Sequence, residues 1–428
     1  MLADSSQSAD RSTRKTSLGL IFLIVFIDLL GFAIVLPLLP RYAEKLHASR
    51  PVIGLLMASF SAMQFIFSPL WGRLSDRIGR RPVLLAGLAG SVVFYGLFGV
   101  ASILESLPLI FVARIGAGIA GATIATAQAY IADATGVEGR ARGMALIGAA
   151  FGAGFTFGPI LGFVAIPSGP LKVGEVATLN PMPGFLASAL SLLALMFALV
   201  KLPESIKKGS APVRRAWLNV GAIREAVKVP SVGMLLLLFF ISTFAFTQFE
   251  TTLSLLTEKA FNYDDDNNFK LFTFLGVVLS IMQGFVVRSL VQKIGEGRMI
   301  ILGTLLMGTG LWFVNVAANE RSSWILFAII PVLVAGFSFL TPSTQALVSR
   351  RSDPDRQGEI MGVNQSASAL ARILGPVFGY KLLAYGIALP YQVGALLMVP
   401  ALLMAIFSVA NGADWGTASV ANADPPGV

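Results

Sequence analysis

Apolar stretches long enough to form membrane helices, parted by short polar segments, run the whole length of the chain. A bilayer core about 30 Å thick is crossed by about 20 apolar residues of helix. Twelve stretches meet that requirement: 17–39, 52–71, 83–103, 107–132, 141–164, 184–201, 231–256, 270–291, 299–317, 324–348, 358–384 and 388–409. The sixth is short and follows Pro181 and Pro183. Membrane-spanning strands would alternate polar and apolar at every second residue, and these runs do not. The pattern predicts an all-α membrane protein with twelve transmembrane helices.

One short pattern occurs twice within this series. Gly154-Phe155-Thr156-Phe157-Gly158-Pro159-Ile160-Leu161-Gly162 returns in the later part of the chain as Ala371-Arg372-Ile373-Leu374-Gly375-Pro376-Val377-Phe378-Gly379. Pro and Gly are poor residues for a helix interior, yet they fall at matched places in segments five and eleven. The chain therefore reads as two pseudo-symmetric six-helix halves. Parallel repeats of this kind build secondary transporters with a substrate path between the halves.

The predicted organisation is a disordered segment 1–16, a first half 17–201, a linker 202–230, a second half 231–409 and a tail 410–428. The linker carries Lys207, Lys208, Arg214, Arg215, Arg224 and Lys228. Its stretch Trp217–Val227 reads either as a helix on the inner lipid surface or as a solvated linker whose charges fix topology. The run Asp264-Asp265-Asp266-Asn267-Asn268 lacks the spacing and glycine of a calcium loop and reads as a solvated segment flanking a helix.

Composition agrees with burial in lipid. The chain has 428 residues, 55% hydrophobic and 13% charged, with mean hydropathy +0.76. The net charge of +9 matters through its placement. With the N-terminus inside, and with Arg142, Lys201, Lys270, Arg288 and Lys381 near the span ends counted with the segments they adjoin, the inner segments hold 22 Lys and Arg, the outer ones 8, and Arg114 and Arg372 fall within spans. The positive-inside rule then puts both termini in the cytoplasm. The basic balance needs no nucleic-acid partner. Cysteine is absent and His47 is the one histidine. That removes disulfides, thiol chemistry and a histidine metal site. No nucleophile–base set or metal cluster appears, so no enzyme and no cofactor are expected.

Gly72-Arg73-Leu74-Ser75-Asp76-Arg77-Ile78-Gly79-Arg80-Arg81-Pro82 joins segments two and three. It matches G-x-L-x-D-R-x-G-R-R, the signature of the major facilitator superfamily, which the chain resembles from Leu18 to about Ser408. The physical logic of such a segment is a latch on the cytoplasmic side. Gly72 and Gly79 permit close contact and a tight turn. Asp76 accepts from an Arg or from a helix N-terminus, with Arg77, Arg80 and Arg81 beside it. The second-half counterpart, Arg288 to Gly297, keeps Ile-Gly but has Gln292 in place of the Asp, so the latch is asymmetric. At the inner ends of segments four and ten, Asp133 falls in register with Arg350 and carries the opposite charge.

Further motifs extend the resemblance. Arg114-Ile115-Gly116-Ala117-Gly118 resembles the superfamily's R-x-x-x-G motif, which is linked to proton coupling. Gly154, Gly158, Pro159 and Gly162, with Gly375, Pro376 and Gly379 in the repeat, resemble the antiporter motif. These glycines let a partner helix approach closely. Asp28 to Pro40 resembles the first span of the twelve-span drug:proton antiporters, and closely the tetracycline-exporter branch. Asp28 lies near the bilayer midplane, where an unpaired charge costs at least a few kcal/mol. It must be protonated, paired or facing water. Asp28 and Glu250 are thus the proton-coupling or substrate candidates, with Arg114 and Arg372 as neutralising or anion-binding partners. Gln64, Gln128, Gln283, Asn364 and Gln365 are candidates for lining a cavity; bonding between helices is the alternative.

The resemblance implies a proton-coupled antiporter in a bacterial inner membrane. It would act as a monomer, use the proton gradient as its energy source, and expel small amphipathic, drug- or tetracycline-like compounds by alternating access. A carrier of organic anions or metabolites has the same fold and would bind its substrate through the arginines. A non-transporting receptor or scaffold is the rival from another class, and it predicts no substrate flux.

Overall fold

A computed structural model describes residues 2–165, 179–205, 230–353, 357–412 and 414. It gives side chains over nearly all of these, but not for 2–18, 136–149, 151, 230 and 357–359. All the regular structure among the described residues is helical. The first repeat comprises α1 (Leu2–Val35), α2 (Leu39–Lys45), α3 (Arg50–Ile78), α4 (Arg80–Ile103), α5 (Leu107–Gly121), α6 (Ile124–Val164) and α7 (Met182–Lys201). The second comprises α8 (Pro230–Phe261), α9 (Asp265–Ile281), a π-helical turn (Met282–Val286), α10 (Val287–Ile294), α11 (Glu296–Asn319), α12 (Ser323–Arg350), α13 (Gln357–Leu383) and α14 (Leu389–Asn411).

Ten helical stretches among the described residues are long and apolar enough to cross a membrane, and Gly152–Val164 is a shorter apolar one. The remaining predicted segment, 358–384, is the helix α13. Asn364, Gln365, Ser366, Ser368 and Arg372 lower its hydropathy.

Three expectations are corrected. The polar composition of segment 1–16 predicts disorder, but α1 is helical from Leu2. Extending an existing helix costs little once it is nucleated, and this stretch has no Pro to stop it. Hydropathy predicts a break between spans four and five, but α6 runs unbroken from Ile124 to Val164. The polar residues of 133–140 do not break the chain, and no Pro occurs in the helix before Pro159. The signature segment reads as a loop in the sequence. Instead α3 continues to Ile78, and only Gly79, at φ 106°, separates it from α4. Gly295, at φ 79°, makes the same break between α10 and α11. Both positions need a positive φ, which is why Ile-Gly recurs in both repeats. The linker from 206 to 229 and the tail beyond Gly412, apart from Asp414, lie outside the described residues.

The described residues fall into two compact units. One holds the first repeat together with Tyr263–Val277, and the other holds the rest of the second repeat. The boundary therefore departs from the predicted halves at α9. In the first unit, Ile21, Ile24 and Val25 of α1 pack with Leu84 and Leu88 of α4, Tyr130 and Ile131 of α6, and Ala194 and Ala198 of α7. In the second, Met299 of α11 packs with Ala335 and Phe339 of α12 and Val287 of α10.

The repeated glycines set the closest helix approaches. A Cβ on Gly154 would stand 2.9 Å from the Leu29 Cβ, and one on Gly158 would overlap the Ala33 Cβ. In the second unit a Cβ on Gly375 would overlap the Thr247 Oγ1, and one on Gly379 would stand 2.9 Å from the Gln248 Cγ. Thus α6 lies against α1 as α13 lies against α8, and dispersion over bare backbone takes the place of side-chain packing. Pro159 and Pro376 sit inside these helices without ending them.

Candidate functional site

Four helices of the first unit converge on Asp28. Its Oδ1 accepts a hydrogen bond from the Ser91 Oγ of α4 at 3.0 Å. The Tyr95 hydroxyl, one turn further along α4, donates to the Asp28 backbone carbonyl at 3.4 Å. A missing side chain makes room beside the carboxylate: a Cβ on Gly121 would lie 3.2 Å from both the Asp28 Oδ2 and the Gln64 Nε2. Gln64 of α3 in turn donates to the Gly121 carbonyl at 3.2 Å. Asp28 itself is half-buried.

Arg114 of α5 completes this cluster. It is 2% exposed, so it stays in the interior instead of reaching for the end of its helix. Its guanidinium lies over the Phe60 ring at 4.7 Å and the Phe32 ring at 5.3 Å. None of its three guanidinium nitrogens has a hydrogen-bond partner among the described residues. Tyr95 lies within electrostatic reach of both Asp28 and Arg114. A desolvated cation–π contact contributes about 2 kcal/mol, which offsets part of the cost of burying a cation without acceptors. Among the described residues, the site thus holds one acid with a single neutral donor and one cation held by ring faces.

The second unit places Glu250 and Arg372 within electrostatic reach of each other. Glu250 is 9% exposed on α8, and Arg372 is half-buried on α13. The hydroxyls around Glu250 are engaged elsewhere: Thr247 donates to the Thr243 carbonyl and reaches the Ala371 carbonyl of α13, Thr251 donates to Thr247, and Thr252 donates to Gln248 and meets the Tyr391 hydroxyl of α14. Gln248 uses its amide to donate to the Pro390 carbonyl at 2.8 Å. Asn364 is buried, and its Oδ1 has no donor among the described residues. Gln128 and Gln283 are half-buried and Gln365 is exposed. Gln283 lies in the π-helical turn, a deformation that is frequent at functional sites.

The signature residues form a compact charge cluster within the first unit. Arg80 pairs with Asp76 at 2.5 Å and with Asp133 at 3.2 Å, and it donates to the Ser75 Oγ at 2.6 Å. Glu204, just past α7, escapes a reading of the sequence. It accepts from the backbone N–H groups of Arg80 at 2.9 Å and Arg81 at 3.1 Å, and so caps α4. Ser205 donates to Asp133 at 3.2 Å. The Arg81 guanidinium donates to the Leu199 carbonyl. Arg77 is exposed, and no described residue lies within 4 Å of where a Cβ on Gly72 would stand.

Arg350 has its own set of partners in the second unit. It donates to Glu296 at 3.0 Å and to Asp414 at 3.1 Å. With Gly79 laid on Gly295, Glu296 answers to Arg80; in the register of the Gly-Pro copies, Arg350 answers to Asp133. The two units therefore hold the same bridge with its charges exchanged. Register alone predicts the opposite charges of Asp133 and Arg350, but nothing in the sequence marks Ser205 and Asp414 as their partners, or Glu204 as the cap of α4.

The profile of the Major Facilitator Superfamily matches residues 21–376 and, in an overlapping match, 271–423. The chain belongs to the major facilitator superfamily. Its relatives include the class E tetracycline resistance protein of Escherichia coli, 33% identical over 362 residues, or 83% of this chain and 84% of that protein. Multidrug resistance protein 2 of Bacillus subtilis (strain 168) is 27% identical over 391 residues, or 90% of this chain and 93% of that protein. The crystal structure of the human organic anion transporter MFSD10 (TETRAN) shares the fold. Its TM-score is 0.68 at 24% identity, covering 92% of this chain and 99% of that one. This major facilitator protein is a multi-pass membrane transporter of small molecules and not an enzyme.

Proposed function

We propose that this transporter is a proton-coupled antiporter that expels small amphipathic compounds by alternating access, with Asp28 as its coupling carboxylate. The reading rests on one observation: Asp28 faces a single neutral donor among the described residues, Ser91, beside a glycine gap, with the buried cation Arg114 in the same cluster. An acid held this way in a membrane interior has two stable partners, a proton or a cationic group of a substrate, and the two compete. Tyr95, within electrostatic reach of both Asp28 and Arg114, links the two charged groups of the cluster. The tetracycline and multidrug resistance proteins among the relatives support amphipathic cargo and outward direction. The excess of Lys and Arg on one set of connecting segments supports cytoplasmic termini, and the bacterial relatives support a bacterial cell membrane. Each unit carries its own buried charged residues, which suits a protein that works as a monomer.

Flux in proteoliposomes with an imposed pH gradient tests this reading. Cationic and neutral amphiphiles should accumulate against their gradient in wild type, and Asp28→Asn should abolish that accumulation. Accumulation unaffected by Asp28→Asn would overturn it. The second reading, an organic-anion carrier, is favoured by the three guanidinium nitrogens of Arg114, which have no partner among the described residues. Preferred flux of anionic compounds, lost in Arg114→Gln, would establish that alternative instead.

A further inference from the structure

Span four is one apolar run in the sequence, yet it holds a break. Helix α5 ends at Gly121 and α6 begins at Ile124, with Ala122 and Thr123 between them. No Pro lies between Pro108 and Pro159 to cause it. The break is made by hydrogen bonds. In a regular helix the Ile119 carbonyl would accept from the Thr123 N–H. That N–H donates instead to the Ala120 carbonyl at 3.4 Å, and the Thr123 hydroxyl donates to the same oxygen at 3.1 Å. The Ile119 carbonyl is taken by the indole Nε1–H of Trp71, at 2.7 Å.

Trp71 lies on α3, seven residues beyond Gln64, which is about two turns along the same face. Gln64 donates to the Gly121 carbonyl, so both side chains hold the last turn of α5 against α3. That turn has no slack. A Cβ on Gly118 would stand 2.5 Å from the Phe60 carbonyl oxygen and 2.9 Å from the Phe60 Cα. Gly121 makes the gap beside Asp28, and the Phe60 ring lies under Arg114. One short turn therefore fixes the room at the carboxylate and backs the ring that holds the guanidinium. Trp71 hydrogen-bonds neither Asp28 nor Arg114, and reaches them only through this turn.

We infer that Trp71 is a positioning residue of the Asp28 site: its indole N–H, by holding the Ile119 carbonyl, keeps span four broken at Ala122 and Thr123 and so keeps the Gly121 gap open beside the carboxylate. The physical reason is competition for one acceptor. A carbonyl without a donor is costly in a membrane interior. When the indole N–H is gone, the Thr123 N–H is drawn back to Ile119 and the helix runs on. A restored turn changes the direction of span four at the level of Asp28. The inference rests on the reading of Asp28 as the carboxylate that meets a cationic group of the substrate, and it adds a residue that shapes the site without touching it.

Equilibrium binding of tetraphenylphosphonium, a permanent amphipathic cation, to the purified full-length protein tests this without a pH gradient. Trp71→Phe keeps an aromatic ring and removes the N–H. Its Kd should rise by about three- to tenfold, the factor to which the net worth of one hydrogen bond converts. Trp71→His keeps a ring N–H and should bind more tightly than Trp71→Phe. Because Trp71 acts through the carboxylate, the effects should not add: in an Asp28→Asn background, Trp71→Phe should change Kd by less than about twofold. A packing defect alone would penalise His and Phe alike and would add to the effect of Asp28→Asn. If Trp71→Phe is absent from the membrane, Thr123→Val takes its place, with the same rise expected, because it removes the hydroxyl from the Ala120 carbonyl and weakens the same break. A Kd within about twofold of wild type, or an equal rise with and without Asp28, would overturn the inference. Wild type that fails to bind the cation overturns both readings. An unchanged Kd in Asp28→Asn counts against the role of Asp28, whereas weaker binding there with no effect of Trp71→Phe counts against Trp71 alone.

Discussion

The two repeats share a scaffold and differ in where they place charge. Gly158 lies on Ala33 in the first as Gly375 lies on Thr247 in the second, and Gly79 and Gly295 make the same break. The acids do not correspond. In the register of the two Gly-Pro copies, Asp28 answers to Ala245, and Glu250 answers to Ala33, in the packed seam itself. Arg372 likewise answers to Phe155. One acid stands at an open, glycine-lined place with Ser91 as donor. The other stands beside the seam with a cation nearby and its neighbouring hydroxyls turned elsewhere. The lesson is that backbone geometry is held in duplicate while chemistry is placed once, so the halves have different tasks.

The sharpest way to break this comparison is to neutralise each acid in turn. Asp28→Asn keeps the shape and removes the titration. Gradient-driven accumulation should fall by at least about tenfold, the loss expected when about 1.4 kcal/mol or more of coupling disappears, while downhill exchange survives. Glu250→Gln should reduce transport by a smaller factor, because Arg372 already balances that acid. Transport assays on both variants at matched abundance decide the order. If Glu250→Gln abolishes accumulation and Asp28→Asn does not, coupling belongs to α8.

The shared scaffold predicts matched costs of overpacking. A Cβ on Gly158 meets not only the Ala33 Cβ but backbone atoms of Ala33 at 3.1 and 3.2 Å, and one on Gly375 meets the Phe244 carbonyl oxygen at 3.0 Å. Backbone cannot rotate away as a side-chain tip can. Gly158→Leu and Gly375→Leu should each destabilise by about 1–3 kcal/mol, read as lower melting temperatures in detergent and reduced export. An unchanged melting temperature for either would mean that its face is not a packing seam.

Most of the scaffold is legible in the sequence because periodicity and length alone specify a membrane helix. The Gly-Pro repeat by itself points to the seam, since bare backbone at matched places has few other uses. Boundaries are harder. At 133–140 the polar residues suggest a loop, yet nothing there stops a helix, and hydropathy does not report chain continuity. The site is half legible. Asp28 and Arg114 stand out as charges in apolar runs, but Ser91 and Tyr95 look like ordinary span residues until α4 lies beside α1. Partners far apart in sequence, such as Glu204 with Arg80 or Arg41 with Asp265, leave no local trace. The Asp triplet shows this most clearly: Asp264 caps α9, Asp265 meets Arg41 and Asp266 pairs with Lys270, three roles that identical residues acquire from neighbours only the fold supplies.

The smallest expected effects come from the two exchanged bridges, and their inequality is itself a prediction. The Arg80 side chain is 9% exposed, between Asp76 and Asp133 at 12% and 33%. Arg350 is 52% exposed, with Glu296 at 28% and Asp414 at 36%. Charged hydrogen bonds shielded from water contribute about 1.5–3 kcal/mol each, whereas exposed pairs contribute about 0–1 kcal/mol. Asp76→Asn removes a charged acceptor from the shielded cluster. It should slow transport several-fold while the protein remains in the membrane, because Arg80 then has to find its charge balance in Asp133 alone. Arg350→Gln should change both melting temperature and flux only slightly, because water already competes for each of its bonds. The salt dependence separates the two further. Raising ionic strength screens exposed charges far more than buried ones, so added salt should erase the small Arg350→Gln effect and leave that of Asp76→Asn in place. Equal responses of the two variants, with and without salt, would show that the charge-exchanged bridges are equivalent and that shielding of the first one contributes nothing.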